Sequence, residues 1–245
     1  MLSFFTSKPF LVDLLTENYV DIHSHILPGL DDGAKNIADT IKLTKAFKEI
    51  GFSQFITTPH VSEHIWKNTS NVIIANQKET QTLLTTNNIT LPFKAAAEYL
   101  IDDHFENLFK SEKLLTLKDN YVLVEMSFMN APVELYRVLF ELQVAGYIPV
   151  LAHPERYLFC HKNFDEYTKL KKAGCLFQLN LLAVTGHYGN TIAGIAEKLL
   201  KQGMYDFSGT DVHHKIHIER LNQKIKVDSI GALKEIIANN QFFKF

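Results

Sequence analysis

Cysteine is scarce in this chain. Cys160 and Cys175 are the only two among 245 residues, too few for a disulfide framework and in keeping with a reducing compartment. Glycine (11) and proline (7) are too few for a collagen-like or linker-dominated protein. Neither charge prevails: Lys+Arg number 25 against 27 Asp+Glu, which leaves no broad electrostatic field for nucleic acid or an anionic membrane. No run approaches the roughly 18 apolar residues that span a bilayer. The apolar start, Met1 to Leu15, reads poorly as a signal peptide. It has no basic n-region, Lys8 and Asp13 interrupt it, and no small-residue cleavage site follows before His23. A cytoplasmic protein without stable membrane insertion or nucleic-acid binding is expected. Phe4, Phe5, Phe10 and Leu11 are left either to pack against the outside of the domain or to make a weak peripheral contact.

What is plentiful is histidine, eleven residues, most of them beside Asp, Glu or another His. Around them, strand-length apolar runs alternate with longer segments of helical spacing. Strands are expected at Tyr19–Ile22, Gln54–Thr57, Phe93–Ala97, Tyr121–Glu125, Ile148–Ala152, Cys175–Leu179 and Tyr205–Ser208. Helices are expected at Ile37–Ile50, Val72–Asn87, Asp102–Phe109, Pro132–Ala145, Phe164–Ala173, Ile192–Gln202 and Ser229–Ala238. Gly51, Gly146, Gly174 and Gly203 stand where a helix should stop before the next strand. With no repeat, low-complexity tract or linker, residues 1–18 read as an N-terminal extension and 19–245 as one domain. Strand–helix units in unbroken alternation imply a parallel sheet.

Each expected strand ends in polar, mostly metal-competent side chains: His23 and His25, His60, Glu98, Glu125, His153, Asn180, then Asp211 and His213. An open sheet gathers its site at one switch point, whereas a barrel brings all strand ends to one mouth. The barrel is therefore the expected α/β architecture. On an extended strand His23 and His25 point the same way and can hold one ion, and Asp211-Val212-His213 repeats that spacing. Glu125 ends the apolar run Tyr121–Val124, where a carboxylate should be paired or metal-bound. Glu98 taken alone reads equally as a surface residue, and Asp32, in Asp31-Asp32-Gly33, as a turn carboxylate or helix cap. His64, His104, His161, His187, His214 and His217 default to surface or supporting positions, with His64 and His187 as rim candidates and His214 beside a ligand. Trp66 and Tyr188 are candidates to line the mouth and stack on an aromatic substrate.

Together Asp21-Ile22-His23-Ser24-His25, Leu27-Pro28-Gly29-Leu30-Asp31-Asp32-Gly33, Thr58-Pro59-His60, His153-Pro154-Glu155-Arg156-Tyr157 and Gly209-Thr210-Asp211-Val212-His213 resemble the polymerase and histidinol phosphatase (PHP) superfamily. Within it the chain is most similar to the bacterial capsule and exopolysaccharide tyrosine-protein phosphatases, from about Tyr19 to His214. The resemblance implies a distorted (β/α)7 TIM-like barrel of PHP type with a trinuclear metal site at its C-terminal mouth. It implies three divalent metal ions, manganese when active. By position His23, His25, Glu98 and Asp211 would hold the first. Glu98 would bridge to a second, completed by Glu125 and His153, and Asp32, His60 and His213 would hold the third. Arg156 would be the catalytic, phosphate-binding arginine. A set of five imidazoles and four carboxylates without thiolate suits manganese, iron or zinc and does not choose among them.

The expected function is that of a metal-dependent phosphotyrosine-protein phosphatase that hydrolyses the phosphomonoester with a metal-bound hydroxide. The resemblance makes its partner a phosphotyrosine-bearing protein, a bacterial tyrosine kinase of polysaccharide export. The alternative is a PHP phosphomonoesterase acting on a small molecule such as histidinol phosphate. Nuclease activity is disfavoured by the net charge of -2. An amidohydrolase is disfavoured by Glu125, which stands where a carbamylated lysine would be needed. Cys160 and Cys175 lie in no C-x5-R phosphate loop, which excludes a cysteine-based phosphatase.

Overall fold

The computed structural model describes residues 7–15 and 18–245, so Phe4 and Phe5 lie outside the described residues. Its strands are β1 (Val20–Asp21), β2 (Gln54–Thr57), β3 (His60–Val61), β4 (Phe93–Ala95), β5 (Glu98–Leu100), β6 (Tyr121–Glu125), β7 (Ile148–Ala152), β8 (Leu176–Asn180) and β9 (Phe207–Gly209). The helices are α1 (Ile37–Ile50), α2 (Ser70–Thr86), α3 (Asp103–Ser111), α4 (Leu135–Val144), α5 (Leu158–His161), α6 (Asp165–Lys172), α7 (Asn190–Lys201), α8 (Lys215–Leu221) and α9 (Ile230–Asn239). All strand pairs are parallel, in a sheet ordered β1-β2-β4 and another ordered β3-β5-β6-β7-β8-β9. The fold is thus mixed α/β with parallel sheets, as expected. No helix among the described residues is long and apolar enough to cross a membrane.

The expected strand Gln54–Thr57 is β2 and is followed at once by β3, whereas the expected Phe93–Ala97 stops at Ala95 and is followed by β5. β2 gives way to β3 across Thr58-Pro59, where proline has no N–H for the ladder. β4 gives way to β5 across Ala96-Ala97. Single hydrogen bonds carry the chain through both breaks, Thr58 N to Ser24 O at 2.7 Å and Ala96 N to Thr57 O at 2.9 Å. On the opposite side Asp211 N donates to His23 O (2.7 Å) and His25 N to Val212 O (2.9 Å), joining the segment after β1 to the segment after β9. Asp21 strengthens that seam. Its carboxylate accepts from the backbone N–H (2.8 Å) and hydroxyl (2.7 Å) of Thr210, and burial pushes its pKa up to about 7.

Both faces of the strands are buried, which is why they read as continuous apolar runs. Val20, Ile22, Leu123, Val150 and Ala152 turn to an inner cluster that Phe243 joins from the C-terminus. Alternate residues Val122, Val124 and Leu151 meet the helices, against Phe47, Phe105, Leu139 and Leu199. Helix ends follow local chemistry: Asn36 accepts from Asp39 N at the start of α1, and Gly51 ends it at φ +101°. The short α5 and α8 escape the expected set, because four and seven residues carry too little periodicity to detect. Near the N-terminus Phe10 bridges Lys224, Leu11 N donates to Gln223 O, and Leu11, Leu14 and Leu15 are buried.

Gly209 lets two chain segments come together under the site. A Cβ there would lie 1.8 Å from Gln178 Nε2 and 2.6 Å from His23 Cβ. Gly194, inside α7, has nothing within 4 Å of such an atom. Gly209→Ala should therefore destabilise by about 1–3 kcal/mol through overpacking. Gly194→Ala should stabilise by about 0.4–1 kcal/mol by restricting the unfolded chain. Urea unfolding measures both, and equal effects at the two positions would contradict this packing.

Candidate metal centre

The expected ligands come together at the C-terminal ends of the strands. His23 and His25 follow β1 in extended backbone, fully buried, with their Nε2 atoms 3.2 Å apart. His60 opens β3 and Glu98 opens β5, each just past a strand break. Glu125 ends β6, His153 follows β7, and Asp211 and His213 follow β9. Asp32 reaches in from the loop after β1, with 60% of its side chain exposed. His153 (φ +35°) and Asp211 (φ +52°) are two of four non-glycine residues with positive φ among those described. Such conformations are costly and concentrate at functional sites.

Glu98 is the hub. Its Oε2 lies 3.1 Å from His23 Nε2, 3.4 Å from His25 Nε2 and 3.2 Å from His60 Nδ1, while Oε1 lies 3.1 Å from His153 Nε2. Asp211 Oδ1 is 3.3 Å from His23, 3.4 Å from His25 and 3.4 Å from His213. Asp32 Oδ1 is 3.6 Å from His60 and 3.4 Å from His213. Glu125 lies 2.9 Å from His60 and 3.9 Å from His153. The donors fall into overlapping groups: His23–His25–Asp211, His23–Glu98–His153, His60–Glu98–Glu125, and His25–Asp32–His60–His213. His60 thus borders Glu98 and Glu125 as well as Asp32 and His213.

These donors fit divalent cations. Glu98 is fully buried, and among the described residues its ion-pair contacts are imidazoles alone, with no Lys or Arg to neutralise it. The buried His153 Nδ1 has no hydrogen-bond partner. Burial opposes ionisation of Glu98 and Asp211, yet the His23 ring and its neighbours hold both well below the usual carboxylate range. Conversely, burial favours neutral His60, but Glu98 and Glu125 push it up to about 9. His23 and His25 are raised as well, against their own burial, by Glu98 and Asp211 and by Asp31. Protons occupy, in effect, the places that cations would take.

Apart from Asn180, named only as a polar strand end, the sequence reading missed the residues that orient these ligands. Asp31, next to the expected Asp32, takes His25 Nδ1 at 2.7 Å and accepts from His60 N (3.1 Å) and Gly33 N (2.9 Å). Gln178 Oε1 meets His23 Nδ1 at 3.1 Å. Such contacts fix the tautomer and direction of a ligating ring. Asn180 Nδ2 donates to Asp211 Oδ2 (2.7 Å), and Arg156 Nη1 donates to the same oxygen (2.9 Å). Among the described residues Asp211 is the ion-pair partner of Arg156. The guanidinium lies between the rings of Phe128 (4.3 Å) and Tyr188 (4.4 Å). Trp66 does line the cavity of about 340 Å3 beside the cluster, together with Ile65, Phe128 and Arg156. His64 stands out in solvent, and His217 is buried against His213 and His214, its pKa lowered by burial to about 3.

Fold and site together define a parallel α/β protein with one histidine–carboxylate cluster, able to take divalent cations, at the C-terminal ends of its strands. Residues 19–226 match the family model for capsular polysaccharide synthesis, CpsB/CapC, and the chain belongs to that family. It is 30% identical over 196 residues to the tyrosine-protein phosphatase YwqE of Bacillus subtilis, covering 80% of this chain and 77% of that one. It is 30% identical over 198 residues to CapC of Staphylococcus aureus, covering 79% and 76%. Its fold superimposes with a TM-score of 0.77 and 28% identity, over 88% of this chain and 86% of the other, on a chain from the crystal structures of Bacillus subtilis YwqE and Streptococcus pneumoniae CpsB, described as unique metal-dependent tyrosine phosphatases.

Cations must displace the protons now held in the cluster. Loading the metal-free protein with Mn2+ at pH 7 should release protons, seen as a binding heat that varies with the ionisation enthalpy of the buffer. In the metal-free protein, protonated His60 contributes stability that is present below its ordinary value of 6.5 and lost as pH rises through about 9. Its Tm should fall across that window, and metal should remove the fall. A buffer-independent heat together with a flat Tm would contradict the protonated cluster.

Proposed function

We propose that this chain is a metal-dependent phosphotyrosine-protein phosphatase of capsular or exopolysaccharide synthesis. The observation that carries this reading is Arg156, which lines the same cavity as His60, Glu125, His153, Asp211 and His213. The function named for the relatives agrees with it. We read the two sheets as one distorted (β/α)7 barrel spanning residues 19–245. The hydrogen bonds from β1 through β9 and back to the segment after β1 support that reading. His23, His25, Glu98 and Asp211 are assigned to a first cation, Glu98, Glu125 and His153 to a second, and Asp32, His60 and His213 to a third. Manganese is favoured over iron or zinc. Such ions, when bound, supply Lewis-acid charge against the phosphoryl oxygens and an activated water.

The chain's own residues do the rest. Arg156, in cation–π contact with Phe128 and Tyr188, presents a planar fork to the phosphoryl oxygens, a geometry an ammonium lacks. Asn180 shares its grip on Asp211, so that carboxylate keeps its direction when the arginine turns to substrate. Ile65, Trp66, Leu100, Met126 and Phe128 give the cavity an apolar wall suited to a phenyl ring. Neither thiol takes part: Cys160 and Cys175 are buried away from the cavity, and burial pushes both up to about 12. The substrate is a phosphotyrosine-bearing protein, in this reading a bacterial tyrosine kinase of polysaccharide export.

Hydrolysis of a phosphotyrosyl peptide and of histidinol phosphate, compared with Mn2+, Fe2+ and Zn2+ added back, tests this directly. Efficient turnover of the peptide supports the proposal; turnover of histidinol phosphate alone overturns it. Chelation should abolish activity, whereas Cys160→Ser and Cys175→Ser should retain kcat. Arg156→Ala should lower kcat/KM by roughly 10²–10³ with metal content retained, and Arg156→Lys should recover only part. Wild-type kcat/KM in the alanine variant would place the phosphate clamp elsewhere.

A further inference from the structure

Two further cavities continue from the catalytic one, on opposite flanks and with opposite charge. Towards α1 and α8, a cavity of about 370 Å3 shares Asp32 and His213 with the metal cluster, and its other charged lining is Lys35, Lys42 and Lys215 against Asp39. All three lysines are exposed. Lys42 has a loose contact with Asp39 (3.9 Å) and Lys215 with Glu219 (3.4 Å), and Lys35 has no ion pair among the described residues. Towards α3 and α4, a cavity of about 340 Å3 shares Leu100 and Ser127 with the catalytic one. Its charged lining is Glu63, Asp102, Asp103 and Glu134 against Arg137, and that guanidinium is already bonded to Glu106, Glu134 and Glu141. A chain crossing the mouth therefore meets ammonium groups on one side of the phosphoryl site and carboxylates on the other.

Resting on the phosphatase reading, we propose that the groove of Lys35, Lys42 and Lys215 is a subsite for a second anionic side chain of the substrate, a carboxylate or another phosphotyrosine, lying on one side of the scissile phosphotyrosine. Aspartate, glutamate and phosphotyrosine share the chemistry that three ammonium groups lining one cavity attract. The acidic flank repels the same groups, so the preference has a direction along the chain: an anion helps on one side and hinders on the other. Exposed pairs of this kind contribute little singly. Three acting together should raise kcat/KM by roughly 3- to 30-fold at low ionic strength, and salt should erode the gain.

The test uses the metal-loaded full chain and a set of phosphotyrosyl peptides. One is flanked by alanines, others carry two glutamates on the N-terminal or the C-terminal side, and others carry a second phosphotyrosine on either side. One side should be favoured over the alanine peptide and the opposite side disfavoured, with the glutamate and phosphotyrosine arms separating the two sources of charge. In the combined Lys35→Gln, Lys42→Gln, Lys215→Gln variant the ratio of acidic to neutral peptide should fall towards one. Equal kcat/KM for all peptides, or a ratio untouched by the lysine substitutions, overturns the subsite and leaves the phosphatase reading standing. No hydrolysis of any peptide by the metal-loaded protein overturns both.

Discussion

The Glu98 carboxylate, fully buried and surrounded by imidazoles, is the constraint on which the site depends. An isolated charge in that position is prohibitively expensive, and a ring of neutral histidines does not offset it. Either protons or metal cations must sit among its neighbours. The architecture follows from that requirement. The β4–β5 break places Glu98 at the start of a new strand, and His23, His25, His60 and His153 approach it from three other strand ends. Gly209 allows the close packing beneath His23, and Asp211 accepts a positive φ. The backbone strain and the overlapping donor groups have one cause, the collection of many ligands around a small volume.

Parallel strands explain how this is affordable. The paired strands run parallel, so the ligands that end β6 or follow β1, β2, β4, β7 and β9 emerge at the same end of their strands. The inner cluster below, closed by Phe243, keeps water from the lower side, while the ligands rise above it. Arg156 and Asn180 meet on Asp211 Oδ2 and leave Oδ1 to the histidines. One carboxylate thereby couples Arg156 to the histidine cluster.

Much of this was legible in the chain. Gln54–Thr57, Tyr121–Glu125 and Ile148–Ala152 are strands at the expected bounds, because their apolar runs end abruptly in polar residues. His23, His25, His60, Glu98, Glu125, His153, Asp211 and His213 could be gathered because strand-end position alone implies a common mouth. The orienting residues were not legible, for a physical reason. In Asp31-Asp32-Gly33 the two carboxylates are equivalent in sequence, and only the turn decides that Asp31 takes His25 while Asp32 reaches His60 and His213. Gln178 lies inside an apolar strand, and nothing local says that its amide meets His23. The Arg156–Asp211 pair spans 55 residues, beyond any spacing rule.

The central claim is that the buried Glu98 would be neutralised by divalent cations. Metal content per chain, measured on wild type and Glu98→Gln after reconstitution with Mn2+ and removal of free metal, tests it most directly. The account predicts three ions in the wild type and one in the variant, the ion of Asp32, His60 and His213 surviving. A wild type that holds fewer than two, or a Glu98→Gln chain that keeps all three, would contradict it.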